Sequence, residues 1–586
     1  MTRNRWVLPL ALLVITAGAL SFRAGRLTDR PFHGDEAIHA VKLGDLLESG
    51  KYAYDPFEYH GPTLNYFTLP VMWMTGKTYL DASEAYYRIV PAIFGSALIL
   101  LLWLVRRELG TWGVAWAAVF TAISPAMVFY SRYYIMEMLL VFFTFLALAA
   151  CWRYARSGKA GWALLAGTAF GLMHATKETW VIALPPMAGA ALLTVLWVRW
   201  IDSQRVSVRS VLRWKPLIAA AIAGILVASL FLSGFFVEAA KAPTVKGKLL
   251  AAAGGPWNSV IAYKTYLDRG TGNTDHNHPW AYYLKLLAWT RYGRGPWWSE
   301  GFVLALAAVG GLAALLTRRK IAARCGSSPR PILAIPREEG DQAIAGALIG
   351  VFSQEPISAT RQPAAQGESP VTRPEPPAIN WRRRFLVFLL FYTLLVTAAY
   401  SAIPYKTPWC LLSFYHGMIL LAGVGAAALV KYMPHWTLRT IMAMALLAGA
   451  AQLGWQSYRT NFVFYCDPRN PYVYSHPRRS LYDLIQRMED LAKVSPDGHR
   501  MLVKVFTKDI WPVPWYLRRF ERIGCWPKVQ DNADAPVIIC SPDQEEELAK
   551  KLKAKYQPDY YGLRPTVVLP LYVRMDLWEA FLKTRR

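Results

Sequence analysis

Cysteine is scarce in this chain, with 6 residues among 586. So few thiols over this length cannot form the framework of a disulfide-stabilised secreted domain. A glycine-rich nucleotide-binding fingerprint, a P-loop and a CxxC pair are also missing, so no motif indicates nucleotide-dependent or thiol redox chemistry. Acidic residues are few as well, with 39 Asp and Glu against 65 Lys and Arg.

The resulting net charge of +26 does not predict a nucleic-acid partner. Lys and Arg cluster in short loops between apolar segments, where they set the orientation of a membrane protein. No basic helix with interleaved aromatic residues is available to follow a phosphate backbone.

Long apolar runs are what the chain has in abundance. It is 54% hydrophobic and contains 24 Trp, 31 Tyr and 25 Phe. The runs are apolar on all sides, as expected where lipid is the solvent, and about 20 such residues cross a bilayer. We predict a mainly α, polytopic bundle of about eleven spans: one N-terminal run, then Tyr86–Val105, Trp112–Tyr130, Ile135–Trp152, Trp162–Ala175, Trp180–Val198, Pro216–Phe236, Trp297–Leu316, Phe385–Ser401, Cys410–Val430 and Thr440–Trp455.

Loop charge predicts the orientation. Alternate loops are basic, as in "RREL" and "WRRRF", and basic loops face the cytoplasm. The N-terminus is then cytoplasmic and the C-terminus lies outside a plasma (inner) membrane. The first apolar run fits either a cleaved signal or a retained span, and both place Asp35 outside. The short segment "GPTLNYFTLPVMWMTG" is interpreted as juxtamembrane or re-entrant rather than as a span.

The polar segments predict the domain organisation. Residues 1–458 form the transmembrane domain, which includes an outer catalytic loop at 23–85, a second outer loop at 237–296 and a flexible cytoplasmic linker at 322–380. Residues 459–586 form a small extracytoplasmic α/β domain. There "MLVKVF", "PVIIC" and "TVVLPLYV" are typical of strands, whereas "RSLYDLIQRMEDLAK" and "DQEEELAKKLKAKY" are typical of helices.

Charged residues at the outer ends of the spans predict the site. Asp35 and Glu36 lie in "HGDEAIHA", just beyond the first apolar run. Outer-face cations run against the positive-inside bias and invite a reason: Arg88, Arg132 in "SRYYIMEM", Lys177 in "HATKETW" and Lys406 in "IPYKTPW". Each alone is explained by snorkelling to headgroups. Together beside an acid pair, they predict recognition of a lipid-linked phosphate, with Asp35 as general base.

Several alternatives remain open for these residues. Asp35 is equally suited to open the following helix as an N-cap. Glu36 positions Asp35, or binds an acceptor or a metal. His33 and His39 flank the pair, but their spacing matches no strong zinc pattern, so a divalent cation is possible but unsupported and no cofactor is required. Glu137 pairs with Arg132 or lines the active cavity.

These motifs resemble the GT-C glycosyltransferases, among them protein O-mannosyltransferases and the aminoarabinose transferases that modify lipid A. The stretch "HGDEAIHAVKLGDLLESGKYAYDPFEYHGPTLNYF" is similar to their first outer loop. "SRYYIMEML" is similar to their Ser-Arg…Asp segment, with Glu137 where Asp is usual. "GLMHATKETW" and "SAIPYKTPW", which contains Tyr405, resemble two further segments. His60-Gly61-Pro62 stands where the aminoarabinose transferases have Lys-Pro-Pro. The chain also resembles a prokaryotic group related to N-glycosylation and described as flippase-associated.

The resemblance implies an inverting transferase with a polyprenyl-phosphate sugar donor and an extracytoplasmic acceptor. It implies Asp35 as base, Glu36 as its support, and donor-phosphate contacts from Arg132, Lys177 and Lys406. The alternatives are a lipid-linked sugar flippase or a non-catalytic partner in envelope glycan assembly. A transporter would place ionisable residues near the middle of the membrane, in repeated halves with broken helices. Here they gather at the outer ends of the spans, which favours an enzyme.

Overall fold

A computed structural model describes residues 6–52, 54–57, 60–201, 213–272, 275–316 and 380–585. Most of these residues are helical. The first third of the chain forms α1 Val7–Ala24, α2 Gly34–Ser49, α3 Thr63–Thr75, α4 Glu84–Leu101, α5 Arg106–Leu109, α6 Thr111–Ile123, α7 Pro125–Ser131, α8 Glu137–Ser157, α9 Ala160–His174 and α10 Leu184–Trp200. The middle of the chain forms α11 Trp214–Leu232, α12 Val237–Lys241, α13 Val245–Thr271, α14 Tyr282–Ala288, α15 Gly301–Leu316, α16 Trp381–Ala402, α17 Leu412–Tyr432 and α18 Trp436–Tyr458.

Each of the eleven predicted spans contains a helix. Within the described residues, eight stretches are long and apolar enough to cross a membrane: Val7–Ala24, Glu84–Leu109, Glu137–Ser157, Glu178–Trp200, Trp214–Leu232, Trp381–Ala402, Pro408–Tyr432 and Trp436–Val463. A ninth is the pair α6 and α7, which meet at 56°. The remaining two predicted spans are α9 and α15, of 15 and 16 residues. The chain is therefore a multi-pass membrane protein.

The bend between α6 and α7 has a local cause. Pro125 occupies the first turn of α7 and cannot continue the hydrogen bonding of α6. Ser124 caps the new helix, because its hydroxyl accepts the Met127 N–H at 3.3 Å. Glu300 fixes the same corner by accepting the Ser124 hydroxyl at 2.6 Å and the Ala126 N–H at 2.8 Å.

Close helix contacts rely on glycine. A Cβ built on Gly310 of α15 would lie 2.0 Å from the Leu421 carbonyl oxygen on α17. A Cβ on Gly167 of α9 would lie 1.9 Å from the Ala220 carbonyl oxygen on α11. Small residues let helix backbones touch, which is how helices associate in lipid.

Two segments that were predicted to lie outside the membrane spans contain helices. "GPTLNYFTLPVMWMTG" forms α3, whose 13 residues extend only about 20 Å, too short for a bilayer core of about 30 Å. The predicted outer loop at 237–296 contains the 27-residue helix α13, which exposes Leu249, Trp257 and Leu267 along its length. The predicted linker at 322–380 lies outside the described residues except for Asn380.

The C-terminal region is the expected small α/β unit. It contains α19 Ser480–Val494, α20 Val513–Tyr516, α21 Glu545–Lys551 and α22 Met575–Lys583, with β1 Val503–Phe506, β2 Ile523–Trp526, β3 Val537–Cys540, β4 Tyr556–Arg564 and β5 Val567–Arg574. The sheet order is β2-β1-β3-β5-β4. β1 pairs in parallel with β2 and β3, and β5 pairs antiparallel with β3 and β4. The three predicted strands and both predicted helices are present, although α21 ends at Lys551 because the chain turns into β4.

The C-terminal unit packs directly on the first outer loop. Tyr516 accepts the Phe32 N–H at 2.8 Å and donates its hydroxyl to Glu84 at 2.6 Å. The rings of Trp515 and Phe32 lie 4.4 Å apart. Arg518 donates to the Ala82 carbonyl oxygen at 2.8 Å. The loop that contains the acid pair is thus fixed by residues of the C-terminal unit, which are distant from it in the sequence.

Candidate active site

The acid pair begins helix α2, and an unusual cap fixes its start. His33 is the N-cap residue, and its Nδ1 accepts the Asp35 N–H at 3.1 Å. In return the Glu36 carboxylate accepts the His33 N–H at 3.0 Å, which completes a capping box. Asp35 is therefore not the cap, and that alternative is wrong. The hydrogen bonds of His33 and Glu36 thus fix the backbone of the turn that contains Asp35.

Glu36 is buried and fully engaged. Its two oxygens accept from Arg88 Nε and Nη2, each at 2.7 Å, and Oε1 also accepts the Tyr134 N–H at 2.8 Å. Burial would raise the pKa of Glu36, but the charges of Arg88 and Arg30 hold it below its usual value. Arg88 additionally donates to the Leu27 carbonyl oxygen at 2.7 Å. The ion pair between Glu36 and Arg88 thus joins the start of α2 to α4 and to the chain at Leu27.

Asp35 differs sharply from its neighbour. Its side chain is 46% exposed, whereas that of Glu36 is 0% exposed. Nδ1 of the His33 ring lies 3.8 Å from the Asp35 carboxylate. The carboxylate of Asp35 is therefore accessible at a fixed helix start, and its role as general base stays a prediction.

The guanidinium group of Arg132 donates its hydrogen bonds to the backbone. Its guanidinium donates to carbonyl oxygens at the C-terminal end of α1, those of Phe22, Arg23, Gly25 and Arg26, at 2.5–3.3 Å. Its side chain is buried, and burial lowers the pKa of Arg132 to about 9. Arg132 closes the end of α1, in the way that cations satisfy the last carbonyls of a helix. Glu137 pairs with a different cation.

That cation is Lys177. Its ammonium forms a buried ion pair with Glu137 at the start of α8, and both residues are less than 7% exposed. Burial would lower the pKa of Lys177, but the carboxylate of Glu137 raises it above its usual value. Lys177 is therefore a permanent positive charge in a desolvated site, where electrostatic interactions are strong.

His60 and Glu178 form a second buried group beside this pair. His60 Nδ1 lies 2.7 Å from Glu178 Oε2, and the Tyr54 hydroxyl donates to Oε1 at 2.7 Å. The His60 ring stacks on Tyr266 at 5.2 Å and lies 6.2 Å from the ring of His39. Burial, reinforced by His60, lowers the pKa of His39 to about 3, so its imidazole is neutral.

The segment around Lys406 closes the other side. The Lys406 ammonium donates to the carbonyl oxygens of His278, at 3.0 Å, and Ile403, and burial lowers its pKa. Next to it, burial and the charge of Asp35 raise the pKa of the Tyr405 phenol, whereas Lys177 lowers it. The charges of Asp35 and Lys177 thus both act on Tyr405, although the three residues come from distant parts of the sequence.

The structure therefore divides the predicted site residues into two groups. One is the cluster around Asp35, in which the charges of Asp35 and Lys177 both act on Tyr405 and His39, and to which Glu137 and His60 belong through Lys177 and the His39 ring. The other has its polar atoms engaged in fixing the backbone, and comprises Glu36, Arg88, Arg132 and Lys406. Contacts with a substrate phosphate stay predictions for every one of these cations.

Two residues in this region escaped sequence reasoning. Glu178 accepts from His60 and Tyr54, and the available signal was an acid beside Lys177 at the start of a span. His476 stacks on Tyr133 at 5.2 Å and lies 5.1 Å from His33. No local pattern marks His476, because only the return of the chain from α18 brings it to the first outer loop.

Metal ligation is not supported by clustering. Within the described residues, no three or more His, Cys, Asp or Glu side chains are arranged to hold a metal ion. His39 and His60 are neighbours, but the only carboxylate in direct contact with either ring, among the residues described, is Glu178. A requirement for a divalent cation stays untested.

The sequence and the fold were compared with those of known proteins. The sequence model of the dolichyl-phosphate-mannose-protein mannosyltransferase family matches residues 62–241. No curated protein matches the sequence. Two ArnT structures from Cupriavidus metallidurans, one bound to undecaprenyl phosphate and one in the apo state, match with TM-scores of 0.55 and 0.57. Each is 14% identical, and the alignments cover 97% of this chain and 98% of ArnT.

A third structure belongs to another transferase. The oligosaccharyltransferase of Archaeoglobus fulgidus, tethered with an acceptor peptide, matches with a TM-score of 0.51 and 12% identity over 98% of this chain and 77% of that one. At identities this low, the structural matches establish the fold and nothing more. The family match to residues 62–241 supports glycosyltransferase activity. The chain therefore has the GT-C glycosyltransferase fold, and its residues 62–241 carry the sequence pattern of the dolichyl-phosphate-mannose-protein mannosyltransferases.

Proposed function

We propose that this chain transfers a sugar from a polyprenyl-phosphate donor to an acceptor on the extracytoplasmic side of the plasma membrane. The acceptor class is a protein, a lipid or a glycan, and Asp35 is the general base. The observation that carries the proposal is the contrast within the acid pair. Glu36 is buried against Arg88, whereas Asp35, held by the His33 cap, keeps a half-exposed carboxylate whose charge, like that of Lys177, acts on the Tyr405 phenol.

The proposed reaction uses this arrangement. The carboxylate of Asp35 takes the proton from the acceptor hydroxyl or amine as that atom forms a bond to the anomeric carbon. The bond between the anomeric carbon and the phosphate oxygen breaks, and its electron pair leaves with the polyprenyl phosphate. Attack from the face opposite the phosphate inverts the anomeric centre. A fixed cation stabilises the negative charge on the departing phosphate.

Lys177 is the cation to which we assign that role. It is held by Glu137, which fixes its position without removing its positive charge. His60 and Tyr405 are assigned to the wall of the donor pocket. Arg132 and Lys406 are assigned to shaping the backbone, since their polar hydrogens are directed at carbonyl oxygens. The likeness to ArnT bound to undecaprenyl phosphate supports the donor class.

The test is transfer by the purified protein. Full-length chain is reconstituted in lipid vesicles with a labelled polyprenyl-phosphate sugar, and release of polyprenyl phosphate is followed. We expect Asp35→Asn to lower turnover about 10²- to 10⁴-fold. Asp45→Asn, an exposed acid on the same helix, is the matched control and should leave turnover unchanged.

The same preparation tests the transport alternative. A flippase would move the labelled lipid between leaflets without releasing its phosphate, and movement would not depend on Asp35. Leaflet exchange without any release of polyprenyl phosphate, equal in wild type and Asp35→Asn, would refute the transferase proposal.

A further inference from the structure

A positively charged cavity lies where the last membrane helix meets the C-terminal unit. Its volume is about 480 Å³, within the range of small-ligand sites of roughly 300–1,000 Å³. Eight residues line it: Val463, Tyr465, Cys466, Asp467, Pro468, Arg469, Arg478 and Arg479. None of them belongs to the cluster around Asp35.

The charges that line this arginine cavity do not cancel. Arg469 is neutralised by Asp467, to which it donates at 2.6–3.1 Å. The hydrogen bonds from Arg469 hold the pKa of Asp467 below its usual value, so the pair stays ionised. Arg478 and Arg479 form no ion pair with any carboxylate among the described residues, and Arg479 reaches only the Tyr465 hydroxyl, at 3.5 Å. Two guanidinium groups therefore face the cavity with donors to spare.

The backbone around the cavity is fixed from two sides. Toward the membrane helices, Trp298 donates to the Arg469 carbonyl oxygen at 2.8 Å, and Asn470 donates to the Thr460 carbonyl oxygen at 3.0 Å. Toward the C-terminal unit, the Arg478 N–H donates to the Leu563 carbonyl oxygen at 2.8 Å. Such a fixed frame lowers the entropic cost of binding.

The cavity lies near the end of the last membrane-spanning stretch. Val463 ends the last membrane-spanning stretch, and the exposed rings of Trp455 and Tyr458 lie on the turns just before it. Aromatic residues of this kind mark the edge of a bilayer. An amphiphile that lies along this edge would place its polar head at the level of the arginines.

We propose that the arginine cavity binds the phosphate group of a lipid. Arginine recognises phosphate through paired, charge-assisted hydrogen bonds, and two such groups with free donors match its oxygens. The phosphate comes either from an anionic phospholipid of the membrane or from a polyprenyl phosphate. Binding here holds the C-terminal unit to the membrane surface, next to the Glu36–Arg88 ion pair, whose charges reach the Cys466 thiol in the cavity wall.

Bound lipid is measured directly. The full-length protein is exchanged into detergent with limiting phosphatidylglycerol, phosphatidylcholine or polyprenyl phosphate, and retained lipid is counted by native mass spectrometry. We expect the double variant Arg478→Gln/Arg479→Gln to bind phosphatidylglycerol or polyprenyl phosphate, whichever the wild type retains, about tenfold more weakly. The matched control Arg500→Gln/Arg522→Gln, which removes the same charge from exposed sites of the C-terminal unit, should bind like wild type.

A lysine pair separates binding from folding. Arg478→Lys/Arg479→Lys keeps the charge and loses the paired geometry, so its affinity should fall between those of wild type and the glutamine variant. Selective retention of phosphatidylglycerol identifies a structural membrane lipid, and selective retention of polyprenyl phosphate identifies a substrate or product. Equal retention by the glutamine variant and wild type, or binding of inorganic phosphate alone, overturns the proposal. Because no turnover is measured, the result is independent of the role of Asp35.

Discussion

Arg88 donates two parallel hydrogen bonds to Glu36, from Nε to Oε1 and from Nη2 to Oε2, each 2.7 Å long. Both side chains are at most 1% exposed. Paired geometry of this kind is the strongest form of an Arg–carboxylate contact. The pair fixes the start of α2, and the position of the accessible Asp35 carboxylate depends on it.

Breaking this pair should cost more than removing it. Arg88→Met leaves the buried Glu36 carboxylate with the more distant Arg30, 3.9 Å away, as its cation, and we expect a loss of about 3–5 kcal/mol in the free energy of unfolding. The double variant Arg88→Met/Glu36→Leu removes both charges of the pair and leaves the buried Arg30 without this carboxylate, so it should recover part of that loss. Thermal unfolding in detergent measures both. A double variant no more stable than Arg88→Met would contradict the assignment of Glu36 as the partner of Arg88.

The His33 cap predicts a pH dependence. The Nδ1 atom can accept the Asp35 N–H only in neutral imidazole. Burial lowers the pKa of His33 in the folded protein, against the smaller opposing effects of Asp35 and Glu36. The stabilisation by a neutral His33 is therefore complete above about pH 6.5, the value in the unfolded chain, and is lost as the pH falls through the lower folded value.

Asparagine separates the cap from the titration. His33→Asn keeps a side-chain acceptor that helix starts favour, whereas His33→Ala loses it and should cost about 0.5–2 kcal/mol. Unfolding is measured between pH 5 and pH 8. The difference between wild type and His33→Asn should grow toward acid, since contributions shared by both, such as that of His39, cancel. A difference independent of pH would count against the cap.

The pair Lys177–Glu137 tests function against structure. Lys177→Met leaves Glu137 buried without its partner, so both stability and transfer should fall. In Lys177→Met/Glu137→Met the stability should return, whereas transfer should not, because the cation for the leaving phosphate is still missing. Stability comes from thermal unfolding and transfer from the vesicle assay. Transfer restored together with stability would show that Lys177 is structural only.

Arg132 should behave in the opposite way. Each hydrogen bond from a charged group to a buried carbonyl contributes roughly 1.5–3 kcal/mol, and lysine cannot replace the whole set. We expect Arg132→Lys to lower the unfolding temperature and to leave the KM for the donor unchanged in the molecules that remain folded. A raised KM at unchanged stability would instead support the phosphate contact that the sequence predicts.

The sequence predicted the elements that a bilayer imposes. Long apolar runs become helices because lipid leaves no other partner for the backbone, and every predicted span contains one. The strands at Val503, Val537 and Val567 follow from runs of β-branched residues. The two edge strands β2 and β4 were missed. In β4, Pro558 and Gly562 disfavour a strand except at an edge.

The roles predicted for the site residues stay predictions, whereas their structural partners can be compared with the sequence. The charges of Asp35 and Lys177 both act on Tyr405. The partners of Arg132 are backbone carbonyl oxygens, which every residue has and no sequence pattern marks. The His33 cap was missed because serine, threonine, aspartate and asparagine are the usual capping residues.

The hydrogen bond from the Phe32 N–H to Tyr516 also constrains the order of assembly during synthesis. The ribosome makes the first outer loop early, but one of the partners of that loop is encoded almost 500 residues later. The loop lacks this contact until the C-terminal unit has been made and has folded. Chains that terminate before Tyr516 would contain every membrane helix but would leave the Phe32 N–H without this partner.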